Sequence, residues 1–235
     1  MTIKLSSYGI SDIGKVRENN EDVYAELPHL KFYALADGMG GHRAGEIAAR
    51  ETIAFLCEAI EHQFSLSQRA RSIEEVKNDL RYSIEEVNRW IYALGQREES
   101  LRGMGTTLCF LLFYEESVIY SSVGDSRIYR FRKGALERLT KDHSLKDARF
   151  KSKNVLTKAI GTSSLLEPDI LAFPLKSDDL YLMCSDGLTD FVSDEKIEKI
   201  FNNTLSLNSL ADQCVKAAYQ AGAGDNITIL FIKAN

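Results

Sequence analysis

The stretch FYALADGMGGHRAGEIAAR, Phe32 to Arg50, decides how this chain is read. An apolar run of strand type ends at a carboxylate, Asp37. Glycines crowd the junction, His42 follows, and a helical pattern starts at Ala44. Asp-Gly commonly marks a hairpin, in which a second strand returns beside the first. No strand returns after Asp37-Gly38. A turn therefore does not account for the charge, the flexible backbone and the imidazole together.

Outward from this junction the pattern is mixed. IKLSSYGIS, DVYAEL and KFYALA read as short strands. Two helices follow. In the first, Ala44 to about Phe64, the residues Ile47, Ala48, Phe55, Leu56 and Ile60 recur at helical spacing. In the second, Ile73, Val76, Leu80, Ile84, Val87 and Ile91 form one apolar stripe that reads as core packing. Strand signals return with TTLCFLLFY, SVIYSSVG, SRIYRFRKG and ALERLT. Lys141 to Pro168 reads as a mostly polar insertion. DILAFPL and DLYLMCS resume the strands, helices are expected over Asp194–Phe201 and Leu207–Ala221, and NITILFIK is the last strand. Runs of strands with helices grouped between them predict antiparallel sheets with helices packed outside, an α+β fold.

With three prolines and no repeat or low-complexity tract, a Pro-rich spacer is excluded, and residues 1–235 are expected to form a single domain. Net charge is −5, from 29 Lys plus Arg against 34 Asp plus Glu, which gives no basic footprint for nucleic acid. The N-terminus lacks the apolar core of a signal peptide, and the run Leu108–Tyr114 is too short to span a bilayer. Cys57, Cys109, Cys184 and Cys214 show no metal-type spacing and fit a reducing compartment. A cytoplasmic protein without membrane insertion is expected.

The chemistry is expected where apolar runs end. Asp37-Gly38, Asp186-Gly187, Gly124-Asp125 and Gly224-Asp225-Asn226 all bound strands. GDSR, containing Asp125, lies between two strands as a hairpin turn would. Asp37 and Asp186 are instead followed by helical segments, and Asp190 lies four residues beyond Asp186. Ionised carboxylates brought together repel, and a cation resolves the conflict. Mg²⁺ and Mn²⁺ favour such hard oxygen donors, and a glycine lets a backbone carbonyl approach as well. Upstream, GKVRENNED offers Arg17, a planar donor suited to phosphate, with Glu21 and Asp22 close behind; on its own this is also how a solvated charge run looks.

GKVRENNED, ALADGMGGH, MGTTL, VGDSRIYR, LTKDHSL, VLTKAIG, CSDGLTD and GDNIT, in this order and over nearly the whole chain, resemble the bacterial PP2C-type (PPM) metal-dependent protein Ser/Thr phosphatases. The resemblance implies a four-layer αββα sandwich with a two-metal site at one end. It implies that Asp37 bridges two Mn²⁺ or Mg²⁺ ions, that Gly38 offers its carbonyl to one, and that Asp186 and Asp225 ligate the other. Glu21 and Asp22 match positions that hold metal-bound waters, and Arg17 matches the residue that grips the substrate phosphate. Asp125 and Asp190 match carboxylates of a weaker third metal, which sets the resemblance against the hairpin reading of Asp125.

The implied reaction is hydrolysis of phosphoserine and phosphothreonine by an activated water, without a covalent enzyme intermediate. The leaving alkoxide needs a proton. His42 is one candidate donor, a metal-bound water the other, and hydrogen bonding at a helix N-terminus the alternative role for His42. The expected partners are phosphorylated proteins and a Ser/Thr kinase with its substrates. One departure stands out. Relatives carry a longer acidic flap where this chain has only KDARFKSK, Lys146 to Lys153. A reduced flap is expected, with Arg149, Lys151 and Lys153 at the cleft mouth, or else a solvated loop. Two rivals remain: a non-catalytic relative, which should have lost one of Asp37, Asp186 or Asp225, and a phosphatase of small metabolites.

Overall fold

Alternation along the strands builds the layers. In β3 (Phe32–Met39), Phe32, Ala34 and Ala36 go to one apolar core and Tyr33 and Leu35 to another. In β5 (Leu108–Tyr114), Leu108, Phe110 and Leu112 join the first core, and Cys109, Leu111 and Phe113 the second. Both strands are thus apolar on both faces, as a sheet covered on both sides demands. The computed structural model describes residues 3–40, 43–66, 71–146, 154–203 and 206–235.

The first core lies under two helices, α1 (Arg43–Leu66) and α2 (Ile73–Arg97). The stripe expected on α2 is there: Val76, Leu80, Ile84, Val87 and Ile91 are all buried. Ser72 caps this helix, and Glu75 reaches back to the Ser72 backbone, so two otherwise unpaired backbone N–H groups are satisfied.

These helices cover a sheet in the order β11 (Leu171–Pro174), β6 (Ser117–Val123), β5, β3, β2 (Asp22–Leu27), with the short β4 (Gly105–Thr106) paired to the end of β3. The second sheet runs β1 (Leu5–Asp12), β13 (Ile227–Ala234), β12 (Leu180–Cys184), β7 (Arg127–Arg132), β8 (Ala135–Arg138). Every pairing in both sheets is antiparallel. Between the sheets, Tyr33, Leu111 and Phe113 meet Ile128, Tyr181, Met183, Leu230 and Ile232. Outside the second sheet lie α4 (Asp194–Asn203) and α5 (Leu207–Ala221), with the one-turn α3 (Asp186–Thr189) before them. The layers are therefore helix, sheet, sheet, helix, as expected.

Two expectations are corrected. Lys141–Pro168 is not simply a polar insertion. It holds a two-stranded sheet of β9 (Ser144–Lys146) and β10 (Asn154–Leu156), then buried Ala159 and Ile160, and Ile160 bridges Thr106. Its apolar residues occur singly or in pairs, so polar neighbours mask them in a window average. GDSR is not a hairpin turn either. β6 and β7 belong to different sheets, so the chain crosses between sheets at Asp125.

Arg149, Lys151 and Lys153 lie outside the described residues, as do Gly41 and His42. The four cysteines are free, and three of them, Cys109, Cys184 and Cys214, are buried. No helix among the described residues is long and apolar enough to cross a membrane.

Candidate functional site

The aspartates singled out in the sequence come to one end of the sandwich. Asp37 sits near the end of β3, on the face that Tyr33 and Leu35 turn toward the other sheet. Asp22, the first residue of β2, is its cross-strand partner. From the facing sheet, β12 runs out into Ser185 and Asp186, and Asp225 precedes β13. Asp125 occupies the crossing from β6 to β7, and Asp190 caps the C-terminus of α3.

Electrostatics records how close they are. Burial raises the Asp37 carboxyl well above the usual range, and Asp22, Asp186, Asp225 and Asp125 push it further in the same direction. Asp186 is raised likewise, by burial and then by Asp125, Asp190, Asp225 and Asp22. Burial pushes Asp22 up to about 6, and Asp125 also to about 6, the latter helped by Asp142 and Asp190. Such an arrangement stores unfavourable charge unless a cation is supplied.

The surrounding backbone and hydroxyls hold these groups in place. Thr107 Oγ1 accepts from the Asp37 N–H at 2.9 Å, and the Asp37 carbonyl accepts from Thr106 Oγ1 at 2.9 Å and from the Thr107 N–H at 2.8 Å. Ser126 Oγ stands 2.7 Å from Thr107 Oγ1, which links the Asp37 support to the Asp125 turn. Across the sheets, Ser185 Oγ donates to Asp22 at 2.7 Å. The reading of the sequence passed over Thr106, Thr107, Ser126, Ser185 and Asn226. Each lies inside a stretch already quoted; Ser126, Ser185 and Asn226 stand next to an aspartate in the sequence, whereas Thr106 and Thr107 meet Asp37 only through the fold.

Gly38 is needed for more than its carbonyl. A Cβ there would lie 2.2 Å from the Gly45 carbonyl oxygen, and one on Gly45 would lie 1.9 Å from Glu21 Oε2. The first turn of α1 can reach β3 only where both side chains are missing. Glu21 and Asp22 are both 7% exposed, so the solvated charge run is excluded for them. Arg17 remains 40% exposed and donates through one guanidinium nitrogen to Asp225 Oδ2 at 2.6 Å. A guanidinium carries five N–H donors, so this bond leaves capacity for an anion arriving from solvent.

These donors suit a hydrated divalent cation. Among the described residues, no three Asp, Glu, His or Cys side chains form a ready-made cage for an ion. Mg²⁺ does not require one. It retains several waters and is commonly held by one or two carboxylates. A ring of oxygen-only donors also matches Mn²⁺ better than softer metals.

Comparison with known proteins identifies the family and the fold. Residues 15–218 match the family model described as Protein phosphatase 2C. The serine/threonine phosphatase Stp of Listeria welshimeri is 34% identical over 241 residues, which cover 96% of this chain and 94% of that protein. The crystal structure of the Mycobacterium tuberculosis serine/threonine phosphatase PstP/Ppp superposes with a TM-score of 0.86 at 30% identity, covering 99% of both chains. The catalytic domain of PstP in complex with two manganese ions gives a TM-score of 0.81 at 32% identity, again covering 99% of both chains.

Proposed function

Since this chain belongs to the protein phosphatase 2C family, and is thus a metal-dependent phosphatase of phosphoserine and phosphothreonine in proteins, we propose that the carboxylates gathered at this end of the sandwich are its catalytic centre. Asp37 would hold two ions at once, Gly38 would offer its carbonyl to one, and Asp186 and Asp225 would hold the other. Glu21 and Asp22 would hold waters on the ions. Asp125 and Asp190 would hold a third, weaker ion. When bound, Mn²⁺ or Mg²⁺ supplies the positive charge that a dianionic phosphomonoester needs before a nucleophile can approach, and acidifies water.

The protein groups then divide the work. Arg17 receives and orients the phosphoryl oxygens from the solvent side. Thr106 and Thr107 fix the Asp37 backbone, which keeps its carboxylate in register with those from the facing sheet. His42 donates a proton to the departing alkoxide, in competition with water. The substrates are phosphoproteins of a cytoplasmic Ser/Thr kinase pathway, and the chain works as a single domain whose short basic flap, with Arg149, Lys151 and Lys153, meets acidic substrate segments.

One observation carries this reading: Asp37 is buried where the two sheets meet, and its carboxyl is raised first by that burial and then by four other aspartates, Asp22, Asp186, Asp225 and Asp125. The test is hydrolysis of a phosphothreonine peptide with Mn²⁺, for the wild type and Asp37→Asn, with metal content read in parallel. Loss of both activity and bound metal in the variant supports the assignment. Near-normal turnover at saturating metal would refute it.

A further inference from the structure

We propose that Asn226 is a positioning residue that sets the phosphate affinity of the site by fixing the loop that carries Arg17. The proposal rests on the reading of Arg17 as the phosphate-binding group. The loop, residues 13–21, leaves β1 in one sheet and enters β2 in the other, so no strand ladder supports it. Its middle is open to solvent, with Val16 68% exposed.

Asn226 holds both ends of this loop from beneath. Its amide nitrogen donates to the Ile13 carbonyl at 3.0 Å and to the Asn19 carbonyl at 2.9 Å. Its side-chain oxygen accepts from the Glu21 N–H at 2.9 Å. Two carbonyls and one N–H as partners admit only this orientation of the amide. The residue is 5% exposed, so water does not readily replace these bonds.

The neighbours of Asn226 complete the hold. Asp225 takes Arg17 with one carboxylate oxygen and the Asn226 N–H, at 2.8 Å, with the other. Lys15 N–H donates to the Ala223 carbonyl at 2.9 Å, and Lys15 Nζ to the Tyr219 carbonyl at 2.7 Å. Gly14, at φ +77°, brings the loop so close that a Cβ would lie 2.2 Å from the Asp225 carbonyl oxygen. The turn from α5 to β13 is thus a mould for the Arg17 loop, and Asn226 is the side chain that grips it at both ends.

A residue acting through Arg17 should lose its effect when Arg17 is gone. In Asn226→Ala the KM for p-nitrophenyl phosphate with Mn²⁺ is expected to rise about tenfold, as for loss of one hydrogen bond to a charged group, with kcat within about threefold. Calorimetry should show inorganic phosphate binding weakened by the same factor. In an Arg17→Ala background, Asn226→Ala should change KM by less than about twofold. An equal KM rise in that background, or a fall in kcat at constant KM, would overturn the proposal, because a general structural role acts whether or not Arg17 is present. If Asn226→Ala does not fold, Asn226→Ser, which keeps a short polar group, is judged on the same two criteria. A wild type without Mn²⁺-dependent hydrolysis would sink the functional reading itself, and that is seen before any variant is made.

Discussion

The Ser185 hydroxyl donates to the Asp22 carboxylate at 2.7 Å, from the end of one sheet to the start of the other. The same hydroxyl accepts from the Thr228 N–H at 3.0 Å. Ser185 is fully buried, so removing its oxygen leaves an N–H and a carboxylate short of a partner with little water to replace it. Ser185→Ala is expected to lower stability by about 1–3 kcal/mol and to weaken Mn²⁺ binding. Thermal melts with and without metal check both.

Removing metal should expose the stored repulsion as a pH dependence. Asp22 and Asp125 each rise from 3.8 to about 6 in the folded chain, because burial disfavours their charged forms. Between those values the folded state holds protons that the unfolded chain has released. Stability therefore falls as pH rises through this window. Chelator-treated protein should melt lower at pH ~7 than at pH ~5 from these groups, and added Mn²⁺ should raise Tm more at the higher pH. Equal Mn²⁺ stabilisation at both pH values would contradict it.

Gly45 offers a sharp steric test. Alanine is the better helix former by about 1 kcal/mol, so Gly45→Ala would stabilise an unconstrained helix. Here the new Cβ would lie 1.9 Å from Glu21 Oε2 and 2.8 Å from the Gly38 carbonyl carbon. The expected result is a lower Tm and a raised half-saturating Mn²⁺ concentration, measured by melting and by metal titration of activity.

A distant ion pair should separate stability from catalysis. Asp179 is fully buried, accepts from Arg132 Nε and a second Arg132 nitrogen at 2.5 Å each, and accepts from the Tyr181 hydroxyl at 2.8 Å. Asp179→Ala leaves the cation and the phenol without their acceptor; because Arg132 is partly exposed and can be hydrated, the expected cost is about 1–3 kcal/mol in denaturant unfolding. KM for an aryl phosphate should be unchanged in the protein that remains folded.

Much of this molecule was legible in the chain, because its signals are strong and local. The stripe from Val76 to Ile91 has one period and a capping box, and α5 begins and ends where its pattern does. Asp37, Asp125, Asp186 and Asp225 were found because each bounds an apolar run. What stayed hidden depends on pairing between distant segments. Periodicity cannot tell that β6 and β7 part company into different sheets, so GDSR looked like a hairpin. Nothing local marks the bridge between Ile160 and Thr106, because the two lie far apart in the chain. Asn226 was quoted in GDNIT and passed over, since an amide declares its purpose only when the backbone groups it satisfies are brought to it.

The crossing at Asp125 also bears on how the molecule comes into being. Asp37 and Asp22 lie in strands of one sheet, Asp186 and Asp225 just beyond the ends of strands of the other, and the chain threads between them at Asp125. Neither sheet alone can gather the cluster. Contacts so remote in sequence form slowly, since loop-closure entropy must be met before they are rewarded. Ions that bind only the finished arrangement favour it by mass action. During synthesis the nascent phosphatase should therefore stay inert until β13 (Ile227–Ala234) has docked between β1 and β12.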